Sequence, residues 1–313
     1  MNNNQKKGSG AARRRSLIGS SLSDRCYWQF LTPALALYSL VFVVPTLFGL
    51  WVSFSRWSGP GTEMTFVGLR NYYRLWLNDA FRSSFYNTLV LVLLGGALVF
   101  LIVFAAMAVL REAKGRAFIR SVVFLPIVIS PIAVGTALGF VLNPDGTLNN
   151  LLDLVNLEQF KQAWLAPENI FKCIVLGFVW STAGLYVAIL MAAVDSIPKS
   201  IYEDARLAGA SRWQQFRDIT LPLSWDALSV AAVIWVINSM KVFEIVLAFT
   251  GTAGTPPMEA RTLAFQQYLA LGSLYGAPDM GFGSAIGFAI MAFTVVLVVL
   301  IRRVMRRERL EIA

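Results

Sequence analysis

The residues able to do chemistry in this sequence are few, and they fall in groups. The chain has no histidine and two cysteines, Cys26 and Cys173, which removes imidazole general-base chemistry and zinc–imidazole sites from consideration. Polar side chains instead interrupt long apolar stretches: Ser181, Thr182 and Tyr186 in one, Asn238 and Ser239 in another, with Trp180 and Trp235 beside them. Hydroxyls, a carboxamide and indoles exchange hydrogen bonds and offer flat apolar faces, so they suit binding rather than bond breaking. In apolar surroundings such groups face a cavity or bond to a neighbouring helix, and both readings stay open at each position. Lys241 and Glu244 stand three apart and can pair on one helix face, as a structural pair or as a gate element. No catalytic residue and no metal site is expected.

The elements that must position these groups are apolar helices. Of 313 residues, 57% are hydrophobic and 14% charged, with a mean hydropathy of +0.61; a soluble domain of this length needs more polar surface. A helix rises about 1.5 Å per residue and the hydrocarbon layer is about 30 Å thick, so roughly 20 apolar residues cross it. Six stretches qualify, at about 30–54, 87–110, 118–142, 170–194, 225–249 and 283–301. None alternates with period two, which argues against a β-barrel. The expected fold class is therefore all-α integral membrane with six transmembrane helices. Residues 1–25 form a basic, disordered tail and 26–313 one six-span domain.

Pro33 and Pro45 fall in the first span, and Pro126 and Pro131 in the third. Each removes a backbone donor, which membranes tolerate only where neighbours satisfy the freed groups, so two kinked spans imply a packed bundle. Gly135-x-x-x-Gly139 and Gly283-x-x-x-Gly287 allow close helix approach, and packing within the chain is favoured over a dimer motif.

The net charge of +9 could suit nucleic acid, but its placement follows the membrane. The N-terminal tail, the 111–120 and 195–224 loops and the C-terminal tail hold 19 of the 27 Lys and Arg, whereas the 55–86, 143–169 and 250–282 loops hold 6. The positive-inside rule puts both termini of a multi-pass membrane protein in the cytoplasm, with Arg302, Arg303, Arg306, Arg307 and Arg309 as an anchor at the anionic leaflet. Cys26 and Cys173 then sit at opposite faces and cannot pair. Trp57, Tyr72, Tyr73, Trp76, Tyr86 and Trp164 form an outer aromatic belt, and Arg70–Trp76 a short amphipathic surface helix.

Between the fourth and fifth spans, local chemistry predicts two short helices over 197–222. Pro198 fits a first helical turn, Ser200 with Glu203 a capping box, and Gly209 a left-handed stop. Ser211 with Gln214 makes a second capping box, and Pro222 lies just past the end of the second helix. Trp213 and Phe216 share one face. A hairpin this polar with exposed aromatics is a docking element or an interfacial connector.

The same stretch resembles the signature loop of permease subunits in bacterial ATP-binding-cassette importers: Glu-Ala-Ala, three residues, Gly, nine residues, Ile-x-Leu-Pro. Glu203-Asp204-Ala205, Gly209, Ile219, Leu221 and Pro222 match that spacing, with Asp204 in place of the first Ala. Similarity to the carbohydrate branch extends through Phe66–Tyr72, Phe124–Pro126, Ser130-Pro131, Leu142–Asn149 and Lys241–Gly251, leaving only the first 25 residues or so without counterpart. It favours the maltose-type first permease with a type I importer bundle. The resemblance implies a second, different permease, two copies of a nucleotide-binding ATPase and an extracytoplasmic substrate-binding protein. It implies that the loop seats in a cleft of the ATPase, with Glu203 meeting basic groups and Trp213 and Phe216 supplying apolar anchorage. It also implies that the fourth and fifth spans supply the sugar site, so Trp180 and Trp235 become stacking candidates beside Ser181, Thr182, Tyr186, Asn238 and Ser239. The chain lacks a Gly-x-x-x-x-Gly-Lys-Ser/Thr loop, so ATP and magnesium belong to the separate ATPase and this chain holds no cofactor.

A glycerol-phosphate or other polyol substrate is compatible with the same pattern. The in-span cations, Lys172 and Lys241, both lie near the outer face, which leans toward a neutral sugar. A lipid-processing enzyme would need a cluster of reactive side chains at one depth, and only Lys241 and Glu244 approach that. A secondary transporter would show midplane carboxylates and internal repeats, and neither is evident.

Overall fold

The computed structural model describes residues 27–110, 115–250, 257–272 and 276–306. The expected 1–25 tail, Cys26, Arg307 and Arg309 lie outside the described residues. The chain divides after Val52 into two compact units. The first holds α1, Tyr27–Ser53, whose last residue belongs to the second unit. Its 27 residues are enough to cross a bilayer. Ser39–Val43 form a π turn just ahead of Pro45; proline has no N–H for the carbonyl of Val41, and the ladder widens there.

The second unit opens with a two-residue antiparallel ribbon, β1 (Ser55–Arg56) on β2 (Thr65–Phe66), with Ser55 opposite Phe66. It is the one strand pairing among the described residues, a small departure from an all-α fold. α2 (Arg70–Leu77) is the expected amphipathic helix: it buries Asn71 and Leu75 and exposes Tyr73 and Trp76. Asn71 donates to the carbonyls of Ser53 and Ser55 at 2.9 Å each, and Arg74 reaches Asp279 through two nitrogens at 3.0 Å.

α3 (Asp79–Val109) begins eight residues before the expected span start at Asn87, because the Asn78 side chain caps the Phe81 N–H at 2.8 Å. The third stretch is broken rather than kinked: α4 (Arg116–Val128) and α5 (Pro131–Val141) meet at 97°. Ile129 and Ser130 are extended, with ψ of 140° and 133°; Pro131 drives the residue ahead of it out of the helical region and then opens α5. Pro126 stays inside α4.

After α6 (Thr147–Leu154) comes α7 (Pro167–Asp195), the central helix. Of its most apolar stretch 67% is buried, against 33% in α3, and Ile174, Tyr186, Leu190 and Met191 are fully enclosed. A side chain at Gly184 would overlap the Val123 carbonyl of α4, so only glycine permits this crossing. α8 (Lys199–Leu207) and α9 (Arg212–Leu223) form the hairpin between the fourth and fifth stretches. α10 (Trp225–Met240) leaves α9 at 70° and ends early. Lys241–Phe243 are not helical, and α11 (Glu244–Thr250) resumes after them, so the expected 225–249 span is also broken.

The outer loop expected over 250–282 contains a buried helix, α12 (Leu263–Leu271), in which Leu263 and Phe265 are fully enclosed. Asn87 donates to the carbonyls of Met258, Glu259 and Arg261 at 3.0–3.1 Å, and Thr88 accepts the Leu263 N–H at 2.9 Å. α13 (Met280–Val304) closes the described chain. Gly283 and Gly287 on α13 face Leu271 and Gln267 of α12, and Gly135 faces Ala248 of α11, while Gly139 has no neighbour within 4 Å. Gly283, Gly287 and Gly135 thus serve contacts within the chain, and Gly139 does not.

Candidate functional site

A cavity of about 320 Å³ lies between α4, α5, α7 and the α10–α11 break. Ser181, the middle residue of the 29-residue α7, and Thr182 lie on its wall with Asn238 from α10. Both broken stretches reach the same wall, one through Ile129 and Pro131 and the other through Lys241, Val242 and Phe243. Backbone freed from a helix is tolerated at membrane depth only where protein or a cavity receives it. Thr262, the cap of α12, donates its hydroxyl to the Val242 carbonyl at 2.5 Å.

The expected polar residues divide into a wall and a support. Ser181 and Thr182 both donate to the Phe178 carbonyl, at 3.0 and 2.7 Å, which leaves hydroxyl lone pairs to accept from a ligand. Asn238 donates to the Tyr186 hydroxyl at 3.3 Å. Tyr186 is fully buried, so it orients Asn238 from behind rather than facing the cavity. Ser239 is also fully enclosed, and its hydroxyl has no partner among the described residues.

The two tryptophans lie elsewhere. Trp235 is buried: its indole donates to the Val92 carbonyl at 2.8 Å, within the π turn Leu91–Gly95 of α3, and its ring lies against Gly95 and Gly96. It meets Tyr186 edge-on with centroids 5.6 Å apart. That is core packing, off the wall. Trp180 is 53% exposed and lines a separate cavity. The aromatic rings on the wall are instead Phe178 and Phe243. Phe178 was legible by spacing, three and four residues before Ser181 and Thr182 on one helix face; Phe243 was not, because it sits in the break.

Lys241 and Glu244 both line the cavity but do not share a helix face. Lys241 is the C-terminal cap of α10 and Glu244 the first residue of α11, and no ion pair joins them among the described residues. Each charge stands at the helix end whose dipole favours it. The break replaces the expected pairing along one helix.

The hairpin matches its expectation in part. Gly209 has φ +81°, the left-handed stop that ends α8. The Ser211–Gln214 capping box is present in both directions, at 2.7 and 3.3 Å. The Ser200–Glu203 box does not form: Pro198 is itself the cap of α8, so Ser200 already lies inside the helix. Pro222 lies within α9, not past its end, and a π turn at Phe216–Thr220 precedes it, as at Pro45. Glu203, Asp204 and Gly209 are exposed; Ala205, Ile219, Leu221 and Pro222 are half-buried. Trp213 is 66% exposed, with its ring centroid 5.5 Å from that of Phe216, but Phe216 is buried and edge-on to Phe104 of α3 at 6.5 Å. The exposed large apolar side chains of the hairpin are Trp213 and Leu207, the latter 87% exposed.

α7 runs into α8, and α9 into α10, so the hairpin joins the two helices that carry Ser181, Thr182 and Asn238. At the hairpin end of α7, Asp195 accepts from Arg120 at 2.7 Å and Arg116 at 3.3 Å, which secures α4 there.

Comparison with known proteins extends this picture. The family model described as "Binding-protein-dependent transport system inner membrane component" matches residues 98–310. A probable ABC transporter permease protein of Bacillus subtilis, YurN, is 32% identical over 278 residues, covering 86% of this chain and 91% of its own. The trehalose/maltose transport system permease protein MalF of Thermococcus litoralis is 30% identical over 268 residues, covering 85% and 88%. Among solved structures, a bacterial ABC transporter involved in import of the acidic polysaccharide alginate has a chain that superposes with a TM-score of 0.77 at 24% identity, over 93% of this chain and 99% of that one; this likeness concerns the fold. From the match across residues 98–310 and the full-length relatives, the chain belongs to the family of binding-protein-dependent transport system inner membrane components.

Proposed function

We propose that this chain is the permease subunit of an ATP-driven sugar importer and forms half of the translocation path. The observation that carries the proposal is a connection. The hairpin with the Glu203-to-Pro222 pattern directly joins α7 and α10, whose Ser181, Thr182 and Asn238 line one cavity. Motion imposed on the hairpin by a nucleotide-binding subunit would reach the cavity through two covalently attached helices. Relatives described as trehalose/maltose, lactose and starch-product permeases support a sugar as cargo.

In this reading the chain crosses the inner membrane six times with both termini in the cytoplasm, as the 19-to-6 bias of Lys and Arg favours. The hairpin then faces two copies of a separate ATPase that use ATP and magnesium, and a second, different permease completes the path. An extracytoplasmic binding protein delivers the sugar. Exposed Glu203 and Asp204 offer acceptors to basic groups of the ATPase, and Trp213 with Leu207 an apolar contact. Binding protein and ATP bias a two-state equilibrium between inward and outward openings.

The cavity favours a neutral, hydroxyl-rich cargo. Lys241 lies on the wall, but Glu244 lies there too, so a phosphate would meet a carboxylate. Hydroxyls can use both charges, the Ser181 and Thr182 lone pairs and the Asn238 carboxamide, with Phe178 and Phe243 against the apolar ring face. The test is uptake by the reconstituted complex with its binding protein across neutral sugars, glycerol phosphate and polyols. A complex in which E203A combined with G209A left uptake intact would refute the coupling role.

A further inference from the structure

A second cavity, of about 450 Å³, lies between α5, α7 and the connection that carries α6. Leu138, Leu142, Leu148, Leu176 and Trp180 wall it, and its polar groups, Lys172, Asn169 and Gln162, cluster at the end nearer the start of α7. Along α7 the exposed positions Lys172, Leu176 and Trp180 recur every four residues, one stripe on one face.

Depth sets the scale of this groove. Trp180 stands next to the middle residue of α7, so it lies near mid-membrane. Lys172 is eight residues nearer the helix start, about 12 Å along the axis. One leaflet of hydrocarbon is about 15 Å thick, so the groove runs from headgroup level to the bilayer centre. Its volume is that of a cleft for a small molecule. A sugar does not suit it, because hydroxyls at depth would meet leucines without partners.

The mouth carries a built cation. The Lys172 ammonium donates to Asn169 Oδ1 at 3.1 Å and makes no ion pair among the described residues, so further donors remain. Asn169 is held in turn through its amide nitrogen by Gln162 Oε1 and the Ala163 carbonyl, each at 3.3 Å. We propose that this groove holds one anionic phospholipid of the adjoining leaflet, with its phosphate on Lys172 and an acyl chain running past Leu176 to Trp180. The proposal rests on α7 crossing the membrane and not on which cargo the first cavity takes.

The test uses the full importer complex in nanodiscs of equal parts phosphatidylcholine and phosphatidylglycerol, one of the two brominated at a time, and reads tryptophan quenching. In the wild type, brominated phosphatidylglycerol should show about a fivefold preference over brominated phosphatidylcholine, the scale of one basic residue meeting an anionic lipid. K172Q should reduce that preference to near unity, and W180F should remove the phosphatidylglycerol-specific part of the quenching. Equal quenching by the two lipids in the wild type, or an unchanged preference in K172Q, overturns the proposal. So does efficient cross-linking from position 180 to the second permease in place of lipid quenching, which would make the groove a protein interface. The readout needs no transport, so a complex that failed to import any sugar would still report on the lipid.

Discussion

Tyr202 on α8 and Thr220 on α9 share a 2.9 Å hydrogen bond between their hydroxyls, and both side chains are buried. A second tie, from the Gln215 carboxamide to the Ala210 carbonyl at 3.0 Å, fastens α9 to the turn that precedes it. The hairpin is thereby one body rather than two independent arms. Y202F should cost about 1 kcal/mol, the net worth of one such bond, and lower ATPase stimulation by loaded binding protein more than it lowers the amount of protein in the membrane. Equal losses in both would place Tyr202 in folding alone.

Trp213 and Phe216 touch, yet they should behave oppositely. W213A removes an exposed ring and is expected to weaken copurification of the ATPase while the thermal stability of the permease stays within about 0.5 kcal/mol. F216A empties a buried site against Phe104 and is expected to destabilise the chain by about 3–5 kcal/mol. Unfolding in detergent, followed for both variants, checks the contrast.

Asn238 and Trp235 form a similar pair in the cavity region. N238A should raise the KM for sugar uptake roughly tenfold or more, as for a lost polar contact in a binding site, without loss of folded protein. Trp235→Ala takes the indole donor from the Val92 carbonyl, which keeps only the Gly96 N–H, and opens a void over Gly95 and Gly96, so it should deplete folded protein. Uptake by a well-folded N238A variant with unchanged KM would remove Asn238 from the binding wall.

Pro131 should be more consequential than Pro126. P131A lifts the restriction on Ser130, and the 97° break between α4 and α5 then competes with a continuous helix. Reduced uptake with normal membrane insertion is expected for P131A, whereas P126A should stabilise α4, as removal of an interior proline does. Spin-label distances across residues 125 and 135 would detect the straightening.

Much of this molecule was legible because apolar length and turn chemistry are local. The long apolar helices, the amphipathic helix at Arg70, the Gly209 stop and the Ser211 cap depend on residues within a few positions of each other. The breaks were legible only as kinks. Pro131 announces a disturbance, but its angle depends on α5 meeting α11 at Gly135, and the break at Lys241 has no proline at all. The same distinction separates Trp235 from Phe178. Both are aromatics near polar residues, and only the partner of the Trp235 indole, 143 residues away, shows which one is core. α12 escaped notice because nine residues cannot cross a membrane, and its burial follows from Asn87 and Thr88 on a distant helix.

The contrast between α7 and its neighbours has a mechanical consequence. α7 runs 29 residues without interruption from the connection at Ala166 to the hairpin at Ser196, whereas the stretches on either side of the cavity are jointed at Ile129–Ser130 and Lys241–Phe243. An unbroken helix behaves as a stiff rod and a joint as a soft spring. A displacement applied at Asp195 therefore arrives at Ser181 almost undiminished, and the compliance of the cavity wall is concentrated in five residues at the two joints. The shape of the cavity is set less by the stiff rod along one wall than by the two short elbows beside it.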